Sequence, residues 1–168
     1  NAPVYLIDES LQLGHSFKVV GALAAILREL EEARQQGRRI TRIVTHTTFN
    51  HGKGVALAAQ LLKEAGILPR NVEVEIAVGR QTSDEERDRL RALGATVDPH
   101  DTYEQAKQAT IQKKAAAPGT TIRVEHFNGV VTGYAAMFTD LYDRIAAKVR
   151  GGTFRGKTIG VVVPVGAG

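Results

Sequence analysis

The chain has 168 residues, 43% hydrophobic and 24% charged, a balance that suits a globular protein with a sizeable core. No apolar run is long enough to span a membrane, and the lack of cysteine excludes disulfides and thiolate metal sites, as expected of a cytoplasmic protein. The net charge of +4 comes from basic residues interleaved with acids, as in "LRELEEARQQGRR", which predicts solvated faces rather than a nucleic-acid surface.

The opening "NAPVYLIDES" has no basic segment leading into an apolar stretch, so no signal peptide is expected, and residues 3–7 read as a short strand. Ser16 is placed to cap a helix running to about Gln36, with Val19, Leu23, Ile26, Leu27 and Leu30 on one side and Gly37 as its stop. Residues 40–46 predict a strand, and Gly52 to Ala65 a helix closed by Gly66. Residues 72–78 form the next strand. Ser83 with Glu86 makes a capping box before a helix that stops at Gly94. A brief strand at "ATV" follows, and Asp101 with Glu104 repeats the capping signal for a helix that fades at Pro118–Gly119. Strand 120–126, helix 131–150 and strand 158–165 complete the order. Strands separated by helices imply parallel pairing through helical crossovers, an α/β fold.

Two glycine-rich loops flank the final strand. Gly151 to Thr158 matches the phosphate-loop pattern G-x-x-x-x-G-K-[ST], but it follows a helix and precedes a strand. A phosphate loop needs the opposite order, so that its amides and a helix N-terminus face the phosphates together. A helix stop followed by a turn is expected there instead, and nucleotide binding is disfavoured. The second loop, Pro164 to Gly168, lies at the carboxyl end of an apolar strand, where α/β proteins bind ligands. The five histidines, His15, His46, His51, His100 and His126, have no metal-ligand spacing, and no metal is expected.

"SFKVVGA" (16–22), "TTFNHGKG" (47–54) and "VPVGAG" (163–168), in this order and at these separations, resemble the fold-type II pyridoxal-phosphate enzymes, the tryptophan-synthase β-like family. "RLRALGATV" followed by "DTYEQAKQAT" is similar to this family's middle segment, and the resemblance spans the chain. It implies part of a large cofactor-binding domain at 1–37 and 129–168, around a small α/β domain at 38–128, with only the first half or so of such an enzyme represented.

The resemblance also implies roles. Lys18 matches the catalytic lysine that forms the Schiff base with pyridoxal 5′-phosphate, and its apolar neighbours Phe17, Val19 and Val20 would lower its pKa. Asn50 matches the asparagine that hydrogen-bonds the cofactor's 3′-oxygen. Gly166, Ala167 and Gly168 match the phosphate loop. Thr47, Thr48, Phe49 and His51 fall where the family holds the substrate carboxylate against a helix N-terminus. Two departures stand out. Phe49 occupies a position that is usually glycine, and Thr48 stands where diaminopropionate ammonia-lyases carry an aspartate.

The implied activity is a lyase carrying out β-elimination on a small amino acid such as serine, threonine or diaminopropionate. The alternatives are a β-replacement synthase of the same family or a non-catalytic chain that needs a partner. Residues 158–168 form a nearly all-apolar strand with nothing after it to cover its edge, which implies a homo-oligomer or a second chain that completes the large domain.

Overall fold

The computed structural model describes residues 13–125, 130–153 and 155–156. The expected strands at 3–7 and 158–165, and the loop holding Gly166, Ala167 and Gly168, lie outside the described residues.

Among the described residues nine elements follow one another: α1 (Lys18–Gln35), β1 (Arg42–Thr47), α2 (Asn50–Glu64), β2 (Glu73–Val78), α3 (Asp84–Ala92), β3 (Thr96–Pro99), α4 (Tyr103–Ala116), β4 (Thr121–Arg123) and α5 (Val130–Arg150). The strands form one sheet in the order β3-β2-β1-β4, and every pair is parallel. β1 registers Ile43 on Val74 of β2 and on Ile122 of β4. Right-handed crossovers then put α2 and α3 on one face. α4 runs back from one edge to the other across the opposite face, where it packs on β1, β2 and β4. β1 is therefore covered on both sides, and Ile43 through Thr47 are all buried. The core gathers Ile43, Val55, Leu62, Ile76, Leu90 and Ile122. α1 packs on α2, and α5 packs on α1.

Local chemistry sets the helix ends. α1 starts at Lys18 with Phe17 at its N-cap, so Ser16 stands one residue further out than expected. Its hydroxyl still accepts the Lys18 amide at 3.3 Å. The box around α3 forms as predicted, with Ser83 Oγ accepting the Glu86 amide and the Glu86 carboxylate accepting the Ser83 amide. The box of α4 is shifted by one residue from the expected Asp101–Glu104. Thr102 and Gln105 form it, while Asp101 pairs with Arg80 at 2.6 Å. α5 stops where the sequence placed a stop. Gly152 takes φ +79°, which closes the helix through Thr153 N–H to the Lys148 carbonyl. Arg155 N–H then turns back onto the Gly152 carbonyl, so the described part of the phosphate-loop-like stretch is a helix end and a turn. No helix among the described residues is long and apolar enough to cross a membrane.

Candidate active site

The strand order reverses direction between β1 and β4, and the carboxyl ends of strands at such a point form the crevice where α/β sheets bind ligands. Thr47 is the last residue of β1 and is fully buried. Its Oγ1 accepts the backbone N–H of Gly52 at 3.0 Å. This bond spans the tight connection into α2, whose N-cap residue Phe49 supplies no side-chain cap of its own. α2 begins at Asn50, two residues before the expected Gly52. Asn50 and His51 therefore belong to the first helical turn rather than to a loop.

The rest of that segment divides between surface and core. Thr48 is exposed, and its carbonyl accepts the Thr82 hydroxyl at 3.3 Å, which ties the turn after β2 to this loop. Phe49 is half-buried and packs against the core, with Lys53 Nζ 5.2 Å from the centre of its ring. Its backbone is extended, with φ 176°. Asn50 is exposed at the helix start. His51 is 3% exposed, and its Nε2 lies 3.5 Å from the carbonyl oxygen of Val124, just past the end of β4. Thr45 Oγ1 donates to the same carbonyl at 2.7 Å.

Lys18 comes to this place from α1. A Cβ added at Gly54 would lie 2.9 Å from the backbone carbonyl carbon of Lys18 and 3.0 Å from its Cβ. Only glycine allows the first turns of α1 and α2 to approach so closely. Lys18 is half-buried beside buried Val19, and its Nζ lies 4.9 Å from the centre of the Phe17 ring. Burial lowers the pKa of its amine, because the ammonium loses hydration that this apolar setting does not replace. The structure thus brings together Lys18 and the Thr47–Gly54 segment, two of the three motifs that the sequence singled out.

Charge follows the same division. Neither α1 nor α2 has an acidic residue in its first turn. The positive ends of both helix dipoles, which favour anionic ligands, are left without a neighbouring carboxylate on their own helices.

The sequence pattern did not single out Gly54 as the residue that seats Lys18, nor Tyr134 of α5, whose ring stands 5.1 Å from that of Phe17 in an edge-on contact. Pairs of small residues, Gly52 with Gly54 and Gly21 with Ala22, were the available signal for close helix approach.

A family model described as pyridoxal-phosphate dependent enzyme matches residues 1–168. The biosynthetic L-threonine dehydratase of Corynebacterium glutamicum is 27% identical over 172 residues, which cover 99% of this chain and 35% of that protein. The apo diaminopropionate ammonia lyase of Escherichia coli superposes with a TM-score of 0.64 at 24% identity, over 83% of this chain and 42% of that one. A pyridoxal 5′-phosphate-dependent aspartate racemase gives a TM-score of 0.62 at 28% identity, over 81% of this chain and 38% of that one. The chain therefore spans well under half the length of these relatives.

Proposed function

The chain belongs to the pyridoxal-phosphate dependent enzymes, and on that premise we propose that it is the Lys18-bearing part of a lyase that removes a β-substituent from a small amino acid. The observation that carries this reading is the contact between the first turns of α1 and α2. It seats the backbone and Cβ of Lys18, a lysine whose amine has a lowered pKa, against the start of a helix with no acid in its first turn. These residues fit the cofactor. A half-buried amine with a depressed pKa is the nucleophile that an aldehyde needs, and a helix start of this kind suits an anionic oxygen.

When bound, pyridoxal phosphate supplies an electron sink for the negative charge left as the α-proton departs. The chain's own residues hold and orient. Lys18 Nζ would hold the cofactor, and as an uncharged amine of lowered pKa it would be suited to accept the α-proton. Asn50, exposed on the first turn of α2, would hydrogen-bond the cofactor's 3′-oxygen. The α2 N-terminus, with Thr47 and Thr48, receives the substrate carboxylate, and Thr47 fixes the turn by holding the Gly52 amide. Phe49 and His51 belong to the same segment, and Gly166, Ala167 and Gly168, which lie outside the described residues, would hold the phosphate. Residues 1–37 and 129–168 form part of a large domain and 38–128 a small one, a division that the packing of α5 on α1 supports. Serine, threonine and diaminopropionate are the substrates to try first.

Borohydride reduction of the protein incubated with pyridoxal phosphate, followed by peptide mapping, tests the site. The label is expected on Lys18 and is expected to vanish in Lys18→Ala. Label on Lys53 or Lys157 would overturn the assignment. Release of ammonia together with a keto acid from one of the three amino acids supports elimination, whereas racemised or β-substituted products would refute it.

A homo-oligomer or a completing chain is part of the same proposal. α5 leaves Val131, Phe138 and Tyr142 exposed at helical spacing, a face that fits a covering surface. Sedimentation that finds a stable monomer at micromolar concentration would exclude it.

A further inference from the structure

Tyr134 carries a polar atom that the fold does not use. It sits in the first turns of α5, and its hydroxyl is buried with no hydrogen-bond partner among the described residues. A buried hydroxyl left unpaired costs stability, which makes an unused one worth explaining. Burial also pushes the phenol up to about 12, so it keeps its proton at neutral pH and acts as a donor rather than as a charge.

Its position is fixed by packing. A Cβ at Gly133 would lie 2.6 Å from the carbonyl oxygen of Val20 and 2.8 Å from Cα of Gly21, so α5 is pressed onto the start of α1 at the residue beside Tyr134. The Tyr134 ring then meets Phe17 edge-on at 5.1 Å, and Lys18 Nζ lies 4.9 Å from the centre of that same Phe17 ring. Phe17 is thus in contact with both the Lys18 amine and the Tyr134 ring. Two helices distant in sequence bring an amine of lowered pKa and a ring that carries a spare donor to one aromatic side chain.

We propose that the Tyr134 hydroxyl donates a hydrogen bond to an oxygen of the ligand held at Lys18, and so is a third contributor to the site from α5. This rests on the reading of Lys18 as the cofactor lysine. The acceptor is an anionic oxygen, carried either by pyridoxal phosphate or by the amino acid.

Tyr134→Phe in the full protein removes the oxygen alone. Three readings are taken: the ligand-free Tm, pyridoxal phosphate affinity by equilibrium dialysis, and serine affinity from the spectral change of the loaded protein. The Tm is expected to stay level or rise, since an unpaired buried hydroxyl is lost. One affinity is expected to fall about tenfold. A fall for pyridoxal phosphate assigns the acceptor to the cofactor, and a fall for serine alone assigns it to the amino acid. Two unchanged affinities would overturn the proposal. A lower Tm or failure to fold would overturn it as well, because the hydroxyl would then be serving the fold. Borohydride label at Lys18 in the wild type alongside a neutral Tyr134→Phe refutes this proposal only. Label elsewhere refutes the cofactor reading and this inference with it.

Discussion

The helices α2, α3 and α4 each follow a strand of the same parallel sheet, and they begin in two different ways. α3 and α4 close themselves: each has a reciprocal capping box, and each carries acid in its first turn, Asp84, Glu85 and Glu86 in one and Glu104 in the other. α2 has neither a side-chain cap at its N-cap residue nor an acid in its first turn. A side-chain anchor comes from outside the helix, where Thr47 at the end of β1 holds the Gly52 amide. The first two starts spend their orphan amides on themselves and neutralise the dipole. The third keeps its positive end for something else, and Lys18 is packed against that start.

Breaking the Lys18 contact should have the largest effect. Gly54→Ala puts a methyl 2.9 Å from the backbone of Lys18, where no flexible side chain can give way. The two helices must part, at a cost of about 1–3 kcal/mol in urea unfolding, and borohydride labelling of Lys18 should be lost. Gly119→Ala is the control, because a Cβ there meets nothing within 4 Å. Equal unfolding midpoints for the two variants would show that α1 does not depend on this contact.

Asn50→Asp gives α2 the acid that α3 and α4 already have. At an exposed first-turn position it should leave stability level or raise it by roughly 0.3–1 kcal/mol. It should also weaken pyridoxal phosphate binding about tenfold, because a carboxylate replaces a neutral donor beside an anionic ligand. Dialysis showing unchanged affinity would mean that the α2 start is not a ligand site.

Thr47→Val and Ser83→Ala remove one cap from each kind of helix start. Each should cost about 1 kcal/mol of stability. Only Thr47→Val should also lower affinity for pyridoxal phosphate or amino acid, since Ser83 serves α3 alone. Matching losses of affinity in the two variants would erase the distinction between the starts.

What could be read from the sequence follows the range of the forces involved. The Ser83–Glu86 box was legible because its partners sit three residues apart and need nothing else. The α4 box was legible only to within one residue. Asp101–Glu104 and Thr102–Gln105 carry equivalent patterns, and the remote Arg80 takes Asp101 out of the choice. The start of α2 was legible only to within two residues, because Asn50 and His51 precede Gly52 without a side-chain cap at Phe49 to mark the first turn, while the use of Gly54 is close packing, which is a tertiary fact. Lys18 stood out as a single charge among apolar neighbours. Its seat on Gly54 left only a pair of small residues as a trace, and the approach of Tyr134 to Phe17 depends on helices far apart in the chain.

The smallest expected effect concerns the charge state of Lys18 itself, the group that the open helix start accompanies. Burial alone lowers its pKa from the ordinary 10.5, which means that the folded protein holds this proton less tightly than the unfolded chain does. Between the folded and unfolded pKa values the unfolded state carries more protons, so stability rises with pH across that window. Below both values the cost of a half-buried ammonium is present in full and the slope vanishes. Lys18→Met removes the titrating group while keeping an unbranched apolar side chain, so the gap in stability between wild type and variant should narrow or shift towards the wild type as pH rises through the window. The change is small because the amine remains partly in water, which screens its charge. An NMR titration of the Lys18 ε-methylene is the sharper measurement. Its midpoint should fall below 10.5, while a midpoint at or above that value would show that the packing around Lys18 does not desolvate the amine, and the contrast between the two kinds of helix start would lose its chemical consequence.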